Sequence, residues 1–333
     1  MRRGATAGLF VAAAMVVAAA CAGDAASELE RRSETTQASG ATAAPADCPP
    51  PRESSVEAVL PGDGAVNVGG VDLPAGAVRT AGFSDSPDTP VIWTTDAAVD
   101  NPWAVWAALV DAYPQTGLWP LLLTSLPDFG RSDGEGRPWL SNEFDLPADP
   151  ATADGLTAEE AFAEWWAYSA PAEEDDPDWA AEVLGPLGPD VPSLAAAGTC
   201  AGALTDLASA STLSPLFSGT GGEMRIGLVA AHRPADALMA MGFIGAGNYT
   251  ADLAAYTALM RSWEDRFGGY LVVTGFADVT IVMERPPVDG DALLHLAAEV
   301  YAICPDVVWQ GVDTIAGLAE EIREAGQLFC WWD

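Results

Sequence analysis

The first folded segment alternates apolar and polar positions with the period of a β-strand. Val66-Asn67-Val68 and Val71-Asp72-Leu73 both follow this alternation, and Gly69-Gly70 separates them. A two-residue glycine turn between two such runs predicts a β-hairpin. Pro90-Val91-Ile92-Trp93-Thr94 is rich in β-branched and aromatic residues and predicts a further strand.

The next pattern has helical spacing and is followed by a continuous apolar run. Asp100 or Asn101 is expected to cap a helix from Pro102 to about Tyr113, and Pro114 is expected to end it. Leu118-Trp119-Pro120-Leu121-Leu122-Leu123-Thr124 then reads as a buried strand. Strand, helix and buried strand in this order indicate a βαβ-like unit.

The middle of the chain gives fewer signals. Thr157-Ala158-Glu159-Glu160 resembles a capping box and predicts a helix start, and Thr199 to Ala210 is a short helix candidate. The acidic run Glu173 to Asp178 lacks the alternating carboxylate spacing of a calcium loop, so we interpret it as a solvated helix start or loop.

From Met224 onward the periodicity is clearer and predicts the order βααββααβ. The predicted strands are Met224–Val229, Tyr270–Thr274, Val279–Met283 and Leu328–Trp332, and the predicted helices are Pro234–Met241, Thr250–Phe267, Asp289–Ile303 and Thr314–Arg323. We therefore expect an α+β fold with a mixed or antiparallel sheet flanked by helices. The expected division is 59–223 for an N-terminal α/β region packed on an α+β domain at 224–333.

The N-terminus has the features of an export signal. Arg2 and Arg3 precede the apolar stretch Leu9–Ala20, which is shorter than the roughly 20 residues that span a bilayer. Small residues directly before Cys21 resemble a lipoprotein cleavage site, so we predict a signal peptide at 1–20 and lipidation of Cys21. The alternative is an ordinary secretory signal with Cys21 incidental.

A flexible tether is predicted at 21–58, where Ala, Ser, Thr, Gly, Pro and Glu dominate without apolar periodicity. Lipid chains on Cys21 would hold the protein on a membrane. The expected location is the extracytoplasmic face of the cell membrane, and the expected partners are that membrane and a protein or envelope component.

Charge narrows the function classes. The formal net charge of the 333-residue chain is -34, and its 14 basic residues are all arginine. Such acidity repels phosphate backbones, which argues against nucleic-acid binding. A Walker-type phosphate loop needs a lysine, and the sequence has none.

Several common catalytic and cofactor motifs are absent from the sequence. It lacks H-E-x-x-H, G-x-G-x-x-G and C-x-x-C, and no cofactor or metal is predicted. His295 shares a helix face with Asp291 and Glu299, a spacing that suits a metal or an acid/base pair. Ordinary i, i+4 pairing on a solvent-facing stripe is the preferred interpretation.

Aromatic and charged residues near helix ends in the last segment form the candidate pocket. Its residues are Trp263, Asp265, Arg266, Glu299, Asp306, Trp309, Gln310 and Trp331. Helix caps, loop ties and core aromatics are the competing interpretation of the same residues. We expect any site to lie where Asp265, Arg266, Asp306 and Gln310 meet.

Four cysteines remain after lipidation of Cys21. In an oxidising compartment Cys48, Cys200, Cys304 and Cys330 allow three pairings, of which Cys304–Cys330 with Cys48–Cys200 is favoured here. No histidine lies near Cys304 in sequence to act as the base of a thiol nucleophile.

Several short motifs in the second half of the chain resemble those of the DUF4253 domain proteins of bacteria. The matching pieces include Arg225–Val229, Gly247–Tyr249, Ser262–Gly268, Arg285–Pro287, Ala297–Glu299, Cys304–Asp306, Trp309–Gly311 and Trp331–Asp333. The resemblance covers roughly Met224 to the end and brings no established activity or catalytic residues with it. Val300 stands where many members have His, and Cys330 where Phe is common.

Two functional hypotheses follow. The first is a membrane-anchored, non-enzymatic binding module, whose partner is an envelope component or a protein such as a toxin, if the domain acts as an immunity factor. The second is a hydrolase-type enzyme in which Asp265, Glu299 and Asp306 act as acid/base groups and Arg266 as an anion clamp. The second hypothesis requires the three carboxylates to converge on one cleft.

Overall fold

A mixed β-sheet forms the centre of the computed structural model, which describes residues 48–126, 136–171, 176–199 and 224–333. Within these ranges eight strands form one sheet in the order β1-β2-β3-β5-β4-β6-β7-β8. The strands are β1 Gly64–Val68, β2 Val71–Thr80, β3 Pro90–Thr95, β4 Leu118–Leu123, β5 Arg225–Ala230, β6 Gly269–Thr274, β7 Asp278–Met283 and β8 Gln327–Trp331. The α+β arrangement with a mixed sheet confirms the predicted fold class.

The predicted hairpin is present. Strands β1 and β2 are antiparallel with Val68 opposite Val71, so Gly69 and Gly70 form a two-residue turn. Their φ values are +59° and +91°, a region that L side chains rarely adopt, which explains two adjacent glycines at this point.

Strand β5, which comes from the C-terminal region of the chain, lies between the two strands of the predicted βαβ unit. Helix α1, Pro102–Thr116, connects β3 to β4. Strand β5 lies between β3 and β4 and is antiparallel to both, so β3 and β4 run in the same direction. The predicted unit is therefore a parallel crossover with one strand of the C-terminal region inserted into it.

The end of α1 differs from the prediction. Pro114 lies inside the helix rather than after it, and the helix ends at Gly117, which has a φ of +66°. A proline in the last turn removes one backbone N–H donor, but the residues after it can still adopt helical dihedral angles. The Gly117 N–H donates to the carbonyl of Tyr113 and closes the helix.

The described helices after α1 follow the predicted order. They are α2 Ala158–Ser169, α3 Pro177–Leu184, α4 Ala237–Ala240, α5 Ala254–Phe267, α6 Gly290–Ile303 and α7 Ile315–Ala325. Helix α2 begins with the predicted capping box, in which Thr157 and Glu160 exchange hydrogen bonds. The order βααββααβ from β5 onward is confirmed, and the 200–210 part of the candidate helix lies outside the described residues.

Helix α5 begins four residues later than its periodicity predicts. The Asp252 N–H donates to Thr250 Oγ1, and the Ala254 N–H donates to Asp252 Oδ1. These side-chain bonds hold Thr250 to Asp252 in a turn that competes with helix.

Strands of both predicted regions lie side by side at the core of the sheet. Strand β4 is parallel to β6, with Leu122 opposite Val273, and every residue of both strands is buried. The rings of Trp106, Tyr113 and Tyr270 pack around Trp119 at centroid distances of 5.1–6.3 Å. Among the described helices, none is both long and apolar enough to cross a bilayer.

Candidate functional site

The last turns of α5 direct charged side chains to two different places. Arg261, Glu264 and Asp265 are spaced i, i+3 and i+4 and share one helix face. Ser262 and Arg266 lie on another face, where the Arg266 Nε–H donates to Ser262 Oγ at 2.9 Å. Asp265 and Arg266 are therefore neighbours in sequence that point to separate surroundings.

Arg266 forms a fully buried ion pair with Glu299 of α6. Its Nη1 and Nη2 donate to Glu299 Oε1 and Oε2 at 2.9 and 2.5 Å, and neither side chain is exposed. Trp263 Nε1 and the Ala195 N–H donate to the same carboxylate at 2.8 and 2.7 Å. Three predicted pocket residues thus meet, but as a saturated tie between α5, α6 and the 193–199 segment.

Asp306 and Gln310 lie in a third place, near the C-terminus. Gln310 Nε2 donates to Asp306 Oδ1 at 3.0 Å, and the Asp333 N–H donates to Asp306 Oδ2 at 2.9 Å. Asp265 is instead bonded to Arg233. In the described part of the chain no hydrogen bond joins the carboxylates of Asp265, Glu299 and Asp306, and the predicted meeting point of Asp265, Arg266, Asp306 and Gln310 is not formed.

The tryptophans of the predicted pocket also lie in different surroundings. Trp309 is 39% exposed, donates through Nε1 to the Tyr301 hydroxyl, and lies 6.5 Å from the Trp179 ring. Trp331 is half-buried in β8, and Trp263 is fully buried. These rings therefore do not line one common groove.

The cysteines correct one predicted pairing. Cys304 and Cys330 are buried free thiols, although a bridge between them was expected. The Trp331 N–H donates to Cys304 Sγ at 2.8 Å, and Sγ–H donates to the Trp331 carbonyl at 3.0 Å. Burial and the neighbouring Cys330 thiol raise the pKa of Cys304, which disfavours a nucleophilic thiolate.

The remaining cysteine predictions concern residues near the N-terminus and in the middle of the chain. Cys48 is disulfide-bonded. Cys200, its predicted partner, and Cys21, the predicted lipidation site, both lie outside the described residues.

The predicted group of Asp291, His295 and Glu299 on α6 does not form one site. His295 Nδ1 lies 2.6 Å from the Ser193 carbonyl oxygen, and its Nε2 lies 3.9 Å from Asp291 Oδ1. Glu299 is turned into the core toward Arg266. No group of three potential metal-binding side chains occurs in the described ranges.

The other face of α5 borders a cavity of about 1040 Å³, which we call the large cleft. Its larger apolar lining residues, which we call the apolar wall, are Val59, Leu60, Val78, Val91 and Ala230. Its charged lining residues, which we call the polar wall, are Asp154, Arg233, Asp236 and Arg261. Ala58, Pro90, Pro147, Ala148, Pro150, Ala151, Ala231, His232 and Ala240 complete the lining.

Arg233 is held by the acidic face of α5. Its Nε donates to Glu264 Oε2 at 2.8 Å, and its Nη2 donates to Asp265 Oδ1 at 2.8 Å and to the Arg261 carbonyl at 3.1 Å. Glu264 is fully buried and also accepts from the Ala235 N–H at 2.6 Å. Arg233 Nη1 makes no hydrogen bond to the described residues and is not among their buried unpaired atoms, so it keeps some exposure and an unused donor.

Burial raises the pKa of the Glu264 carboxyl to about 8, and the nearby Arg233 guanidinium opposes this shift. Burial likewise raises the pKa of Asp265, which has the same guanidinium as its partner. Glu264, which holds Arg233 in the polar wall, therefore changes its protonation near neutral pH.

Arg261 fixes the other end of the polar wall. Its Nε donates to Asp236 Oδ1 and its Nη1 to Asp154 Oδ1, both at 2.7 Å. Its Nη2 donates to the Pro150 carbonyl at 3.1 Å. These bonds attach the short helical turn Pro150–Gly155 to α5, and a second cavity of about 470 Å³ lies beyond Asp154, Arg233 and Arg261.

The polar wall was not predicted from the sequence. Arg261 precedes Glu264 and Asp265 by three and four positions, a helical spacing that could have identified this face. Arg233 and Asp154 come from distant segments, and local pattern gives no sign of their convergence.

The C-terminal part of the chain matches a known family. Residues 225–333 match the model of a family described as a domain of unknown function (DUF4253). No curated protein and no solved structure matches the chain. Arg233, Asp236 and Arg261 lie inside the matched stretch, whereas Asp154 and most of the apolar wall lie before it.

Proposed function

We propose that this chain, which carries a DUF4253 domain over residues 225–333, is a binding module whose ligand occupies the large cleft. The carrying observation is a cavity of about 1040 Å³ whose lining combines aliphatic side chains with the two arginines Arg233 and Arg261. Ligand sites are typically concave and mostly apolar, with a few polar groups that fix the orientation of the ligand.

Preorganisation supports this assignment. Arg233 and Arg261 each make three hydrogen bonds or more to fixed acceptors before any ligand is present. Ordering a free side chain on binding costs roughly 0.5–1.5 kcal/mol, a cost that these two residues have already met on folding. Both side chains are 17% exposed, so they are held in place and still reachable.

The hydrolase hypothesis has less support. It needs Asp265, Glu299 and Asp306 to act on one bond, and each has its own separate partners. Glu299 is fully buried and already accepts from Arg266, which leaves no clamp for a substrate anion. The geometry therefore favours binding over acid/base catalysis by these groups.

Location completes the proposal. The protein is anchored through lipidated Cys21 on the extracytoplasmic face, as the Arg2-Arg3 and Leu9–Ala20 leader pattern and the disulfide at Cys48 support. Metabolic labelling with an alkyne fatty acid tests the anchor: label is expected on the wild type and absent from Cys21→Ser. Equal labelling of both proteins would contradict lipidation at Cys21.

Methyl NMR tests the cleft. A panel of N-acetyl amino-acid amides, alkylamines and alkyl carboxylates is titrated while the methyl signals of Val78 and Val91 are followed. At least one compound is expected to shift both residues, because both belong to the apolar wall. Failure of the whole panel to move either residue would contradict the proposal.

A matched pair of variants tests whether binding takes place in the large cleft. Ala151 is exposed and lines the large cleft, so Ala151→Trp places a bulky ring at the cleft with little disturbance of the core. Val288 is 89% exposed and lines a different cavity, so Val288→Trp adds the same ring elsewhere. Binding should be lost in the first variant and kept in the second.

A further inference from the structure

We infer that the large cleft binds an apolar peptide segment of net positive charge. This inference rests on the proposed binding function and adds the chemical class of the ligand. Three features support it: the apolar wall, one available donor with one available acceptor, and the net negative charge of the chain.

The apolar wall sets the first requirement. Val78 and Val91 come from neighbouring strands β2 and β3, and Leu60 comes from the segment before β1. Each aliphatic side chain that a ligand buries here removes apolar surface from water, which favours binding. The cavity volume of about 1040 Å³ lies at the upper end of small-molecule sites, which leaves room for several side chains.

The polar wall offers both a donor and an acceptor. Arg233 Nη1 can donate, while Asp154 uses only Oδ1 toward Arg261 and has a side chain that is 66% exposed. A peptide group carries one carbonyl acceptor and one N–H donor, so it satisfies both without a charge of its own. A lone carboxylate ligand would pair with Arg233 but would also face Asp154 and Asp236.

The net charge of the protein determines which sign of ligand charge is favoured. The chain carries 48 acidic against 14 basic residues. Glu57 and Asp149, which directly precede the lining residues Ala58 and Pro150 in sequence, are exposed. The field of the net negative charge attracts cations and repels anions, which favours basic residues flanking the apolar segment.

Fluorescence anisotropy with three labelled peptide amides tests the inference. The sequences are Lys-Leu-Val-Leu-Lys, Glu-Leu-Val-Leu-Glu and Lys-Ser-Gly-Ser-Lys, which change charge and apolarity separately. The first should bind, and the other two should bind at least about tenfold more weakly, because each lacks one of the matched features. Ala151→Trp should weaken the first peptide by a similar factor, and Val288→Trp should not.

Three results would overturn the inference. Equal binding of the Glu and Lys peptides would remove the role of charge, and equal binding of the Ser-Gly-Ser peptide would remove the role of the apolar wall. No binding of the Lys-Leu-Val-Leu-Lys peptide, while another compound still shifts Val78 and Val91, would overturn the peptide class alone. If no compound of the methyl NMR panel shifts those signals, the proposed function falls as well.

Discussion

Arg266 and Glu299 form a two-bond ion pair in which neither side chain is exposed to solvent. Trp263 and the backbone of Ala195 saturate the carboxylate, and Ser262 accepts from the guanidinium. The residues that looked most like an active site therefore hold α5, α6 and the 193–199 segment together. A different face of the same helix, which carries Arg261, lines the large cleft.

The first prediction concerns the stability of this pair. Glu299→Ala leaves the Arg266 guanidinium buried without its carboxylate and should lower the free energy of unfolding by about 3–5 kcal/mol. Urea denaturation at pH 7 measures the change. The double variant Arg266→Met with Glu299→Leu should be closer to wild type, and a loss below about 1 kcal/mol in Glu299→Ala would contradict a tightly coupled buried pair.

Glu264 should make stability depend on pH between about 4.5 and 8. Its pKa in the fold is raised to about 8 from 4.5, so the folded state binds more protons than the unfolded state in this window. Its contribution is therefore fully present below pH 4.5 and is lost as pH rises toward 8. Glu264→Gln should flatten the fall in unfolding free energy between pH 6 and 8, and an unchanged slope in that variant would refute the assignment.

Asp278 should add a second pH dependence at lower pH. Burial raises its pKa to about 6 from 3.8, so its contribution to stability is lost as pH rises through that window. Asp278→Asn removes the buried charge and should stabilise the protein at pH 7 by about 2 kcal/mol. The midpoint of thermal unfolding at pH 7 and pH 4 checks this, because the gain should largely vanish at the lower pH.

The buried thiols give a chemical prediction. Cys304 and Cys330 are free and inaccessible, so both should resist alkylation in the native protein and react after denaturation. Mass spectrometry of peptides containing each cysteine reads this directly. A Cys304–Cys330 disulfide in the non-reduced protein, or rapid alkylation in the native state, would contradict the structure.

Local sequence signals predicted local structure well. The glycine pair between Val68 and Val71, the Thr157 capping box and the order βααββααβ all depend on residues close in sequence. The insertion of β5 between β3 and β4 was not predictable, because no local pattern encodes which distant strand a buried edge will accept.

The candidate site was predicted only in part. Trp263, Arg266 and Glu299 were expected together and do meet, because helix spacing places Trp263 and Arg266 on related faces. Asp265 was grouped with Arg266 although adjacent helical residues point about 100° apart, so it joins Arg233 instead. The Arg233 contact to Glu264 spans 31 residues, beyond the reach of any periodicity argument.

The most direct test of the account is the position of a bound ligand. Isotope-filtered nuclear Overhauser spectra of the methyl-labelled protein with unlabelled Lys-Leu-Val-Leu-Lys amide would give contacts between ligand protons and individual methyl groups. Contacts to Val78, Val91 and Leu60 are predicted, because these residues form the apolar wall of the large cleft. Contacts confined to methyl groups elsewhere, such as Val288 in the cavity beside Pro287, would contradict the large cleft as the binding site.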